Sequence, residues 1–111
     1  MVNDLSIITV TKNNLVGLKR TYQSIRFIPG IEWIVIDGES NDGTDEWLET
    51  IEHGGVKLFK RPAEGIYNAM NEGIKLSNGL WAIFMNAGDK FSENLDFENL
   101  QVKLRQCTSG I

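Results

Sequence analysis

A chain of 111 residues, 41% hydrophobic and 23% charged, has the length and make-up of one soluble domain, hiding about two thirds of its unfolded surface around a single core. Its net charge of −4, from 15 acidic and 11 basic residues, excludes the broad basic surface that nucleic-acid binding needs. A lone Cys107 excludes an internal disulfide framework, no apolar run approaches the roughly 18 residues of a membrane span, and Met1–Val10 lacks the order of a signal peptide, so a cytoplasmic domain over residues 1–111 is expected.

Leu5–Val10 is a short β-branched run and reads as the first strand. Asn13 or Asn14 can cap the helix that follows, since an Asn oxygen accepts from free N–H groups of a first turn. Leu15, Leu18, Tyr22 and Ile25 recur on one helical face, and Pro29-Gly30 is expected to stop it. Ile31–Ile36 is a second strand, apolar almost throughout, as a strand covered on both faces would be. Thr44 or Asp42 can cap a second helix through Trp47, Leu48 and Ile51, ended by Gly54-Gly55. Val56–Phe59 makes a third strand. Ile66, Met70 and Ile74, with Ala69 and Gly73 beside them, make a third helix closed by Asn78-Gly79. Leu80–Met85, continuous and apolar, reads as a central fourth strand, and Trp33, Trp47 and Trp81 read as core. Beyond Lys90, Phe97, Leu100 and Leu104 fit a helix, while Leu100, Val102 and Leu104 fit a strand equally well.

This alternation predicts an α/β, Rossmann-like domain: a mostly parallel sheet in the order 3-2-1-4 with helices on both faces. Ligands in such sheets bind beyond the carboxyl ends of the strands, where the order reverses. Those ends carry Thr11-Lys12-Asn13, Asp37-Gly38, Lys60-Arg61 and Asn86-Ala87-Gly88-Asp89.

No dinucleotide fingerprint is present, and Gly38–Thr44 has the glycine spacing of a phosphate loop without its lysine. Six acids between Asp37 and Glu49 make that stretch hostile to a bare phosphate; Asp42, Asp45, Glu46 and Glu49 read as solvated residues favoured near a helix start. Asp37 ends an apolar strand, where its carboxylate either accepts from a base or ribose, or bonds the backbone of its own turn. Asp89 either closes an Asx turn or acts as a hard oxygen ligand for Mg²⁺ or Mn²⁺ shared with phosphates. The cation would matter, because a carboxylate about 4 Å from a diphosphate dianion is repelled by about 8 kcal/mol at an effective dielectric of 20. His53, the only histidine, has no partner at metal-ligand spacing. Lys60 and Arg61 read as a solvated loop.

Four segments in order, SIITVTKN (6–13), WIVIDGESNDGT (33–44), PAEGIYNAMNEG (62–73) and LWAIFMNAGDKF (80–91), resemble the inverting nucleotide-sugar glycosyltransferases of family 2. These have the GT-A fold, and the Asn-x-Gly-Asp pattern is most similar to bacterial enzymes of surface-polysaccharide synthesis. The resemblance implies that Thr11 and Asn13 line the nucleotide pocket and that Asp37 holds the base. It places Gly65 and Asn71 on the ribose and diphosphate side, Asn86 near the ribose, and Asp89 on the metal. Glu64 neighbours Ala63, where relatives often carry an aspartate, and is the candidate substitute; Asn68 also stands where many carry aspartate.

The implied activity is metal-dependent transfer of a sugar from a nucleotide diphosphate to a glycan or lipid-linked acceptor, in the cytoplasm or at the inner face of the membrane. The family usually continues into an acceptor half that supplies the general base. This chain stops about 20 residues after Asp89, so a truncated GT-A fold, the donor-binding half, is expected and no catalytic residue is nominated. A catalytically inactive nucleotide-sugar-binding or assembly module is the alternative. A phosphoacceptor receiver domain is disfavoured, because it needs an aspartate where Lys60-Arg61 stands. Loss of later strands would expose a sheet edge and favour a homo-oligomer.

Overall fold

The computed structural model describes residues 3–51, 55–62 and 65–109. Four strands, β1 (Asn3–Thr11), β2 (Ile31–Asp37), β3 (Val56–Lys60) and β4 (Gly79–Phe84), alternate with α1 (Leu15–Gln23), α2 (Thr44–Thr50), α3 (Ile66–Leu76) and α4 (Phe97–Ser109). The strands form one parallel sheet in the order β3-β2-β1-β4, as the alternation predicts. The chain steps one way from β1 to β3 and then returns past two strands to β4. With right-handed crossovers, that reversal carries α3 to the opposite face from α1 and α2.

The two faces pack separately. Leu5, Ile7, Trp33 and Val35 meet Leu18, Leu48 and Phe97 on one side, while Ile8, Ile34 and Ile36 meet Ala69 and Leu76 on the other. Every residue of β2 is buried. Trp33 is fully buried, and its indole N–H is satisfied by the Thr9 hydroxyl at 2.9 Å. Glu32 is also inside β2. Burial alone would raise its carboxyl pKa, but Lys57 (2.8 Å), the Ser6 hydroxyl and the Asn78 N–H (2.8 Å) together hold it below the ordinary value. That carboxylate therefore joins β1, β2, β3 and the start of β4.

Several expectations are corrected. The apolar run of β4 does not sit centrally. β4 is the edge that the order 3-2-1-4 and the expected loss of later strands imply, paired only with β1 among the described residues. Leu80, Trp81, Ile83 and Phe84 are all more than a third exposed. Trp81 is thus not core; its indole N–H reaches the Leu104 carbonyl at 3.2 Å. The first helix ends at Gln23, because the Ser24 hydroxyl and N–H both bond the Thr21 carbonyl and tighten the last turn well before Pro29. The packing stripe of α3 is Ala69, Gly73 and Leu76, with Ile74 about half exposed. The ambiguous segment after Lys90 is helical. Gln101 and Arg105 hold Asp4 at the start of β1, with Arg105 bidentate at 3.0 and 2.8 Å and the Gln101 amide donating at 2.6 Å. His53, Gly54, Ala63 and Glu64 lie outside the described residues. No described helix is long and apolar enough to cross a membrane.

Candidate functional site

A cleft of about 670 Å³ opens at the carboxyl ends of β1, β2 and β4, between the sheet and α3. Val10, Ile36, Ala69 and Ala87 give it an apolar floor. Thr11, Asn14 and Asn86 come from the strand ends and the start of α1; Asn68, Asn71, Glu72 and Lys75 lie along one face of α3, at the three- and four-residue spacing of a helix. Of the residues expected from the sequence, Thr11, Gly65, Asn71 and Asn86 line this space together.

Thr11 is 3% exposed, and its hydroxyl oxygen has no hydrogen-bond partner among the described residues. Its carbonyl accepts from the Gly38 N–H at 2.9 Å, which fixes the end of β1 against the turn after β2. A buried hydroxyl left unpaired costs about 1–3 kcal/mol. Strand alternation turns this one, like that of Thr9, toward the α1–α2 side of the sheet, so Thr11 borders the cleft without presenting its hydroxyl to it. Lys12 and Lys75 also line the cleft and form no ion pair among the described residues. Arg61 does pair, with Glu72 at 3.2 Å, and lies over the Phe59 ring. The described lining thus carries three cations against one acid, in a chain that is acidic as a whole. Lys60 turns away to pair with Asp45, which raises its pKa.

Asp37 is 2% exposed and does not line the cleft. Its carboxylate accepts from the Ser40 N–H at 3.2 Å and from the Ser40 hydroxyl, so the local turn bonding anticipated as one of its two readings is present. Asn13, with φ +49°, is committed to the same loop. Its N–H donates to the Ser40 hydroxyl and its side-chain oxygen accepts from the Asn41 N–H, both at 2.8 Å. Asn14 is the asparagine that reaches the cleft, and it also caps α1 through the Gly17 N–H at 3.1 Å. Asp42 ties the loop to α1 by accepting from the Leu15 N–H at 3.0 Å; its pKa is lowered chiefly by the Thr44 hydroxyl.

Asp89 is exposed on the same rim. One of its oxygens accepts from the Asn86 N–H at 3.0 Å, three residues back. The carboxylate thus closes its own turn, but not as an Asx turn, which would bond the backbone two residues on. The strands that end in Asp37 and lead to Asp89 are separated only by β1, two inter-strand spacings or about 10 Å. The turn is clamped to α1: the Asn14 amide donates to the Ala87 carbonyl at 3.1 Å, the Gly88 N–H to Gly17 at 3.0 Å and to the Thr21 hydroxyl at 3.1 Å. A Cβ at Gly17 would stand 2.5 Å from the Asn14 amide nitrogen. Gly17 and Thr21 were not identified from the sequence. A glycine inside a helix, about 1 kcal/mol worse than alanine, was the one available signal. Among the described residues no three ligating side chains cluster. A lone exposed carboxylate such as that of Asp89 could hold a divalent cation only together with phosphate oxygens and water.

An open parallel sheet with a cationic cleft at its switch point is the architecture of a ligand-binding doubly wound domain. Residues 6–110 match the model of glycosyl transferase family 2, and the chain belongs to that family. An uncharacterized glycosyltransferase of Mycobacterium tuberculosis is 40% identical over 91 residues, covering 79% of this chain and 35% of the relative. A PGL/p-HBAD biosynthesis glycosyltransferase of Mycobacterium bovis is 34% identical over 68 residues, covering 56% of this chain and 25% of the relative. The chain spans about a third of the length of the curated M. tuberculosis relatives. In fold it is similar to S. aureus TarS in complex with UDP (TM-score 0.78, 18% identity, 96% of this chain and 32% of that one). It is also similar to a mannosyltransferase from Pyrobaculum calidifontis in complex with GDP-Man and Mn²⁺ (TM-score 0.72, 20% identity, 91% and 31%).

Proposed function

We propose that this chain forms the nucleotide-sugar-binding part of a metal-dependent family 2 transferase that hands the sugar to a glycan or lipid-linked acceptor, in the cytoplasm or at the inner membrane face. The observation that carries the reading is the polar, cationic lining of the cleft at the switch point of the sheet, where Lys12 and Lys75 form no ion pair among the described residues. Such a wall suits a ligand that brings both hydroxyls and negative charge, as a ribosyl diphosphate does. Lys12 and Lys75 offset diphosphate charge. Asn71 and Asn86 supply amides for sugar hydroxyls, and Gly65 leaves room for close approach at the start of α3, where no atom would meet an added Cβ within 4 Å. Asp37 holds the Gly38–Ser40 turn beside the base and keeps acceptor capacity of its own, since a carboxylate offers about four lone-pair sites. Asn13 acts by holding that turn in place, and Glu64 remains the candidate for the aspartate absent at Ala63.

Asp89 would hold a Mg²⁺ or Mn²⁺ ion, which when bound neutralises the departing diphosphate. The described residues provide donor binding and orientation; no group among them is assigned as the base that deprotonates an acceptor. Calorimetry with UDP- and GDP-sugars, with and without Mn²⁺, tests the proposal. Binding that requires the cation and is lost in Asp89→Ala is expected; no binding, or binding indifferent to Asp89, would overturn it.

A further inference from the structure

The turn that borders the donor cleft has a second side. There, the last turn of α1 and the segment following Asp89 enclose another cleft, of about 400 Å³. Arg20 enters it from α1 and Lys90 from the segment. Neither forms an ion pair among the described residues, although acids outnumber bases in the chain as a whole. Arg26, a third cation at the same cleft, is held by Glu98 at 3.1 Å. A position near a helix C-terminus accounts for Arg20 by itself, but Lys90 lies on no helix. The cleft is not only polar. Half-buried Phe91 packs edge-on against buried Phe97 with ring centroids 5.1 Å apart, and Leu95 lines the same wall. Glu93 is the one acid in the lining.

We propose that this cleft binds a phosphate ester carrying an apolar chain, with Arg20 and Lys90 on the phosphate and the Phe91–Leu95 wall along the hydrocarbon. Two cations converging on one cavity suit a phosphate dianion through charge-assisted hydrogen bonds, and an apolar wall beside them selects against inorganic phosphate. The site is separate from the donor cleft, since the two linings share no residue. Two sources offer this chemistry, a single phosphorylated isoprenoid or the phosphate headgroup of a membrane lipid.

The test uses the whole 111-residue chain and farnesyl phosphate below its aggregation concentration, followed by calorimetry. One molecule per chain is expected to bind, at least tenfold more tightly than inorganic phosphate. Arg20→Ala/Lys90→Ala should weaken it at least tenfold, and Glu93→Gln should tighten it about twofold by removing the one repelling charge. All three side chains are exposed, and an unchanged circular dichroism spectrum checks that the variants fold. Sedimentation with phosphatidylcholine vesicles, with and without phosphatidylglycerol, separates the sources. Capture only by the anionic vesicles, lost in the double variant, assigns the headgroup; farnesyl phosphate binding without capture assigns the single carrier. No binding to farnesyl phosphate, affinity unchanged in the double variant, or displacement by UDP with Mn²⁺ would overturn the proposal. A failure of UDP to bind would overturn the donor reading and leave this site standing.

Discussion

At the scale of single residues, Thr11 carries the sharpest prediction. Valine has the same shape without the hydroxyl, so Thr11→Val removes an oxygen that has no partner among the described residues. The folded chain should gain up to about 1–3 kcal/mol, the desolvation cost of the unpaired hydroxyl, while affinity for a nucleotide sugar stays unchanged because the hydroxyl is turned from the cleft. Thermal unfolding and donor calorimetry on the same variant read both; a loss of stability would show that the hydroxyl is partnered in the fold, and a loss of affinity that it reaches the donor. Thr11 and Asn86 were legible as cleft residues because a parallel sheet gathers its carboxyl ends on one rim, whereas Gly65 and Asn71, at the start of and within α3, were implied only by the resemblance. The neighbours were not legible. Asn13 and Asn14 are chemically identical, and only the left-handed backbone at Asn13 sends one to the Ser40 loop and the other to the cleft. Position likewise located Asp37 but could not show that Ser40, three residues on, engages both carboxylate oxygens.

At the scale of elements, the decisive contacts are those between a helix and the sheet. α3 lies close on β1 because Gly73 has no side chain: a Cβ there would stand 2.4 Å from Cγ2 of Ile8. Gly73→Ala gains up to about 1 kcal/mol of helix propensity, yet overpacking of this kind costs typically about 1–3 kcal/mol. A net loss in the urea midpoint is expected, with weaker donor binding because the polar wall of the cleft rides on the same helix. α4 depends on charge instead. Arg105, the largest influence, and Gln101 hold the Asp4 carboxyl below its ordinary pKa. The folded carboxyl binds its proton less readily than the unfolded one, so the stabilisation is complete above about pH 3.9. It is lost as the pH falls through the lower folded value. Asp4→Asn should therefore unfold more easily than wild type at neutral pH and show a shallower acid limb, measured as urea midpoints between pH 7 and 2. This clamp explains why the last segment stayed ambiguous in the sequence. The spacing of Phe97, Leu100 and Leu104 fits either period, whereas the partner that decides it is Asp4, 101 residues from Arg105.

At the scale of the whole molecule, the strand order was legible and with it the exposed edge at β4, whereas the apolar run taken alone pointed to a central strand. A continuous apolar run such as Leu80–Phe84 signals burial on both faces, and the sequence cannot say what would supply that cover. In the fold, β4 pairs with β1 alone among the described residues, and its other edge carries backbone groups without a neighbouring strand. Apolar side chains project on either side of it, with Trp81 and Ile83 opposite Leu5 and Ile7, and Phe84 opposite Ile8. An edge of this kind, long enough to pair and bearing no charge from Gly79 to Phe84, lacks the devices that keep sheets apart. The isolated chain is therefore expected to associate through β4, with two copies extending one another's sheet about a twofold axis. Leu80, the most exposed apolar residue of the strand at 54%, is where a gatekeeping charge disturbs the core least. Leu80→Lys should leave the circular dichroism spectrum unchanged and shift the mass seen by light scattering toward the monomer. A wild-type chain that stays monomeric as its concentration rises, or a variant that associates as strongly, would show that this edge does not self-pair.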